Sequence, residues 1–253
     1  MKSAELPKWI VLGACSFLLA GCGAVRTAWI WFPQAAGMAQ VDPKLYVESS
    51  MTNEQRQEVS RQIKIGRAQV ERFYGSITAT PYFVACVTSK CDERFGSYGT
   101  RAAAFGDTAV HLSANGLSAP LVAHELSHAE LFHRVGGWWN ARKIPRWFDE
   151  GIAVVVADEP RHSEENWQEI RRRGLPVPQL SELVSFKDWE VAVNRYGETA
   201  GDVPGSLHVV YTSVGHEVRM WLGSSGSTAV TTALESIRNG STFDEAYAKR
   251  VVR

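Results

Sequence analysis

The order of patterns along this chain of 253 residues predicts an α+β domain, with a small mixed sheet ahead of a mainly helical C-terminal part. Three observations carry the prediction. An amphipathic helix opens the domain after a capping box, three β-type runs come next between residues 81 and 113, and helical patterns fill the chain from Ser118 onward.

Taken in order, Thr52 with Gln55 forms the capping box. Val59, Ile63, Val70 and Phe73 then lie on one helical face as far as Tyr74, and Gly75 stops the helix. Pro81–Val87 is aromatic and β-branched and reads as a strand. Gly99–Phe105 and Thr108–Ser113 read as two more around a Phe-Gly-Asp turn. The next helix runs from Ser118 to Arg134, with Ser118 as N-cap, Pro120 in its first turn and Gly136 beyond its end. After a Gly/Trp-rich loop, Trp147–Asp158 is helical. Leu207–Leu222, Thr228–Arg238 and Phe243–Arg250 complete the helical part.

Composition sets the limits. Hydrophobic residues at 45% and charged residues at 21% describe a globular chain able to bury a core. Lys+Arg equals Asp+Glu at 27 each, so no field of one sign draws the protein to nucleic acid. The run Arg171-Arg172-Arg173 reads as a solvated helix face.

The first residues form an address. Lys2 and Lys8 precede an apolar stretch from Trp9 to Ala20, then small residues and Cys22, the layout of a secretory signal. Leu19-Ala20-Gly21-Cys22 resembles the lipobox of bacterial lipoproteins, which implies a signal peptide over 1–21, a lipid anchor on Cys22 and a place in the cell envelope. An uncleaved anchor is the alternative, since Trp9–Val25 is 17 residues without charge. Residues 22–50 are expected to be a tether, with the globular domain over 51–253. Cys86 and Cys91 remain as an even pair in an oxidising compartment. They read as a disulfide across Val87–Lys90, with a metal-ligating pair as the competing reading.

The chemistry concentrates in His124-Glu125-Leu126-Ser127-His128. Positions i and i+4 share a helix face, so the two imidazoles can converge on one ion, and Glu125 beside the first can take a proton from a water activated there. A catalytic zinc needs a third protein ligand and an open fourth position. Downstream stands Trp147-Phe148-Asp149-Glu150-Gly151-Ile152-Ala153. The two segments together resemble the glutamate-type zincins, within them the peptidase MA-like group of bacterial proteins. That resemblance implies a zincin-like fold, one zinc per chain held by His124, His128 and Glu150, and Glu125 as general base. It also implies Trp147 as a core anchor and Gly151 as a point of close helix packing. The helix from Tyr211 to Leu222 and the ending Gly240–Ala246 are similar to that family too.

Where some related zincins carry an Asp four residues after the glutamate, this chain has Val154, leaving Asp149 and Asp158 as alternatives for orienting a histidine. Tyr211, His208 and His216 are candidate oxyanion donors. Glu130 and His133 are expected at the surface, and His111 and His162 fit no pattern. The family's habit of pairing substrate on the strand before the metal helix points to Thr108–Ser113, which a plain core strand would equally explain. The expected activity is hydrolysis of protein or peptide substrates at the envelope. A non-catalytic lipoprotein using the same scaffold for binding is the alternative.

Overall fold

A computed structural model describes residues 29–96, 99–196, 207–223 and 226–249. The segment expected to be a signal peptide, with its lipobox-like stretch and Cys22, lies outside them. Among the described residues, no helix is long and apolar enough to cross a membrane.

The fold is mixed α and β. Five strands form one sheet in the order β1-β2-β3-β5-β4: β1 Met38–Asp42, β2 Leu45–Glu48, β3 Tyr82–Ala85, β4 Ala102–Phe105 and β5 Ala109–Leu112. β2, β3 and β5 run parallel, while β1 and β4 close the two ends antiparallel to their neighbours. β1 and β2 fall within the segment 22–50 read as a tether, and from Trp29 to residue 50 that segment packs on the sheet. Leu45 and Val47 alternate inward on β2, and Ile30 is fully buried on the far side of the sheet.

One face of the sheet is covered by α1 (Asn53–Tyr74) and α3 (Ala119–Arg134). Val59, Ile63 and Val122 there pack on Val47, Phe83 and Val110. The opposite face is covered by the turn Trp29–Trp31 and by α2 (Ser89–Arg94), through Ile30, Cys91 and Phe95. The capping box of α1 forms as the sequence predicts, and Gly75 ends the helix at φ 77°. Cys86 and Cys91 are joined by a disulfide that ties α2 to the end of β3, so their thiolates are not available to a metal.

The remaining helices make the second layer. They are α4 (Trp138–Ala141), α5 (Arg146–Ala157), α6 (Glu164–Arg172), α7 (Phe186–Arg195), α8 (Val209–Leu222), α9 (Thr228–Arg238) and α10 (Phe243–Ala248). Their core joins Ala123 and Leu126 of α3 to Phe148 and Ile152 of α5, Val214 and Val218 of α8, and Leu234 of α9. α5 and α8 approach closely through two glycines: a Cβ on Gly151 would stand 2.5 Å from Val218 Cγ2, and one on Gly215 2.6 Å from Val154 Cγ1. Val154 thus fills the helix contact, which explains an apolar residue there. Trp147 is buried against Phe148, Phe243 and Tyr247.

Two further expectations change. Glu130 is not a surface group: it is fully buried and accepts from Thr78 N, Thr78 Oγ1, Ala79 N and Arg134 Nε, fastening the segment before β3 to α3. Thr108–Ser113 is not an edge: β5 lies between β3 and β4, its backbone used on both sides, and the outer strand is β4. His133 is exposed and pairs with Asp107.

Candidate metal centre

α3 places His124 and His128 one turn apart, with ring centroids 4.9 Å from each other. α5 packs across α3 through Phe148 and Ile152, and this brings Glu150 to the same point. Glu150 Oε2 lies 3.2 Å from His124 Nε2 and 3.7 Å from His128 Nε2, and all three ligand atoms fall within 4.8 Å of one another. Four ligands at zinc bond lengths in a tetrahedron would be separated by about 3.3 Å. Two imidazole nitrogens and one carboxylate oxygen at these spacings therefore suit a zinc-type ion without rearrangement of either helix.

The sequence leaves the histidine's partner open between two aspartates, and helical phase decides it. His128 Nδ1 donates to Asp149 Oδ1 at 2.7 Å, leaving Nε2 to face Glu150. Asp158 is the C-cap of α5, in the left-handed region at φ 48° and exposed.

Arg146 is a member of the site that the sequence reading misses. Its Nη1 donates to Asp149 Oδ2 at 2.7 Å and its Nη2 pairs with Glu150 Oε1 at 2.5 Å. It thereby fixes one oxygen of each carboxylate and leaves the other for a histidine. The signal was the i,i+3 and i,i+4 spacing of a cation ahead of Asp149 and Glu150 on one helix. The first turn of α5 is held by backbone: Arg146 N and Trp147 N donate to the carbonyls of Val184 and Leu183.

These contacts set the charge. Burial opposes the His128 cation, but the carboxylates of Asp149 and Glu150 outweigh it and raise its pKa to about 9. Burial opposes the Glu150 anion as well, yet Arg146 and His128 hold it well below the usual carboxylate range. Asp149 meets the same penalty of burial, and His128 with Arg146 overcomes it and lowers the pKa. The site thus keeps both carboxylates ionised, and the same anions would favour a bound cation in exchange for the His128 proton.

Glu125 is buried on the same helix, near enough to Arg146 to favour its charge. Tyr211 stands beside a ligand: its ring lies 6.3 Å from that of His124, stacked on His162 and edge-on to Trp189. His208 packs edge-on against His162 instead. His216 turns to α6, stacking on Trp167 and hydrogen-bonding Glu164. Both residues without a sequence pattern, His111 and His162, are buried. Burial, joined by His208, lowers His162 to about 3. No family model and no curated protein matches this chain.

Proposed function

We propose that this chain is a zinc-dependent peptidase of the glutamate-zincin type, carried in the bacterial cell envelope by a lipid on Cys22 and acting on protein or peptide substrates. The observation that supports this most is the convergence of His124, His128 and Glu150 within 4.8 Å, with Glu125 on the same helix as the two histidines. His124, His128 and Glu150 would hold the metal. A zinc bound there supplies a Lewis acid and activates water for attack on a carbonyl.

The chain's own residues do the rest. Glu125 takes a proton from the attacking water and returns it to the leaving amine. Asp149 fixes the His128 ring through Nδ1, so that Nε2 is the ligating atom. Arg146 holds Glu150 to one free oxygen. Tyr211 is the group that would donate to an oxyanion beside His124. β4, at the end of the sheet and packed on α3, would take an extended substrate by β-augmentation.

The test is elemental analysis of the protein lacking its lipid anchor, beside the His124→Ala variant. About one zinc per chain, lost in the variant, is expected. A folded parent that takes up no supplied zinc would overturn the proposal. Glu125→Gln should retain zinc while hydrolysis of peptides falls by about 10²–10⁴-fold. Unchanged hydrolysis would remove Glu125 from the role of base.

A further inference from the structure

Next to the metal centre, between the edge strand and the start of α5, lies a cavity of about 470 Å³. His128, Arg146 and Asp149 form one side of it and Ala104 of β4 another, so it opens on both the reacting site and the strand that would carry substrate. The other walls are mainly apolar, with Arg142 and Ser185 as the polar exceptions. Phe132 and Leu131 rise from α3, Trp138 from α4, and Val184 and Phe186 from the segment that caps α5. Trp138 and Phe186 are 64% and 63% exposed at the rim, large apolar surfaces that nothing else in the described chain explains.

The charged groups of the wall are already engaged. Arg146 is paired with Asp149 and Glu150 and lies over the Phe186 ring, Asp149 also holds His128, and Arg142 lies over Trp139. Arg142 is the lining cation with no carboxylate partner among the described residues, and it stands exposed at the mouth, so the wall beside the metal centre offers no unpaired counter-charge. We infer that this cavity is a specificity pocket for one bulky apolar side chain, aromatic or large aliphatic, on a peptide laid along β4, with Trp138 and Phe186 as the residues that select it. The inference rests on the peptidase reading for the identity of the molecule that fills the pocket, while the pocket's preference rests on its walls.

Phe186 is anchored for this role, because the preceding Leu183 and Val184 accept from the backbone of α5. Phe132 is held from behind by the turn at Gly106, where a Cβ would stand 3.2 Å from its ring. Phe132 and Phe186 are therefore fixed to the two helices that carry the ligands, and a side chain seated between them would register the neighbouring peptide bond against the metal centre.

The test tracks the Trp138 indole N–H resonance in the isotopically labelled, zinc-loaded protein, assigned with Trp138→Phe. N-acetyl-L-phenylalaninamide should shift it and saturate. N-acetylglycinamide and N-acetyl-L-aspartamide should bind at least about tenfold more weakly, and Phe186→Ala should weaken the phenylalanine ligand by about tenfold. Equal response to all three amides, or none to the phenylalanine ligand, overturns the inference. So does a response to phosphatidylglycerol vesicles in place of the amides, which would make the rim a membrane-docking surface. A peptide library separates this inference from the reading it rests on. Cleavage with a bulky apolar residue at a fixed distance from the cut supports both, and cleavage without that preference overturns the pocket and leaves the peptidase. Selective amide binding with no cleavage keeps the pocket and overturns the peptidase.

Discussion

Glu130 and Glu150 are two glutamates buried to nearly the same degree, at 0% and 2% exposure, on helices packed against each other. Their surroundings differ in kind. Glu130 is met by hydrogen-bond donors from one loop and one arginine, which satisfy both oxygens. Glu150 is met by an arginine on one oxygen only, and its other oxygen faces the Nε2 atoms of two histidines. Burial of a carboxylate therefore does not mark chemistry by itself. A carboxylate whose remaining partners are themselves metal ligands does.

The largest effects should separate these two residues. Glu150→Ala should lose zinc, with affinity down by more than the roughly 10–100-fold expected for an outer-shell residue. Glu130→Ala should keep one zinc per chain and lose stability by about 3–5 kcal/mol, since it strands the Thr78 and Ala79 donors and leaves Arg134 its Ser76 and Tyr74 contacts without a carboxylate. Isothermal titration with zinc and urea unfolding of both variants decide the matter. The comparison breaks if Glu130→Ala is the variant that loses metal.

A second, smaller contrast lies between two aspartates of α5. Asp149→Asn should weaken zinc binding by about 10–100-fold, because His128 loses the anion that fixes its ring. Asp158→Asn should leave binding unchanged, as asparagine tolerates the left-handed C-cap. Equal losses in a competition assay would mean that the His128–Asp149 contact has no part in holding the metal.

These contrasts also show what the sequence could carry. The helices over Asn53–Tyr74, Ala119–Arg134 and Arg146–Ala157 were legible because caps, glycines and apolar spacing are local. The grouping of His124, His128 and Glu150 was foreseen from motif resemblance. β1 and β2 were missed: the burial of β1 falls away along the strand and leaves no period, and β2 went unread beside it although Leu45 and Val47 alternate inward. Which strand forms the sheet's end depends on pairing order, and local spacing does not encode that. The burial of Glu130 depends on a loop some fifty residues earlier in the chain. Arg146 and Asp149 fall between these cases, since their spacing was visible but the histidine they serve was on another helix.

Packing behind the ligands gives the next effect. Gly151→Ala would put a Cβ 2.5 Å from Val218 Cγ2 and 2.7 Å from Val214 O, the second being backbone that cannot swing aside. The expected cost is about 1–3 kcal/mol in urea unfolding. Because Gly151 is next to Glu150, a weaker zinc affinity should accompany it. Gly174→Ala is no suitable control, since its φ of 63° strains any side chain. An unchanged Gly151→Ala protein would show that α5 and α8 can separate without disturbing the site.

The smallest effect extends the comparison to histidines. His128 is buried among carboxylates and raised to about 9, whereas His111 on β5 is buried against Phe95 in the layer beneath α2 and lowered by desolvation to about 4. Folded His111 therefore takes its proton only below about 4, while the unfolded chain takes it near the ordinary value of 6.5. Between those values the unfolded state binds more protons, so acidification favours unfolding, and the contribution is fully present only above 6.5. His162, lowered to about 3, acts in the same direction. Each group should remove up to about 1.4 kcal/mol per pH unit within that window, read from urea midpoints of the metal-free protein between about pH 7 and 5. His111→Gln should flatten part of that slope while leaving zinc stoichiometry at neutral pH unchanged. A slope identical to that of the parent would mean that His111 takes its proton at the same pH folded and unfolded, and that burial does not oppose its cation.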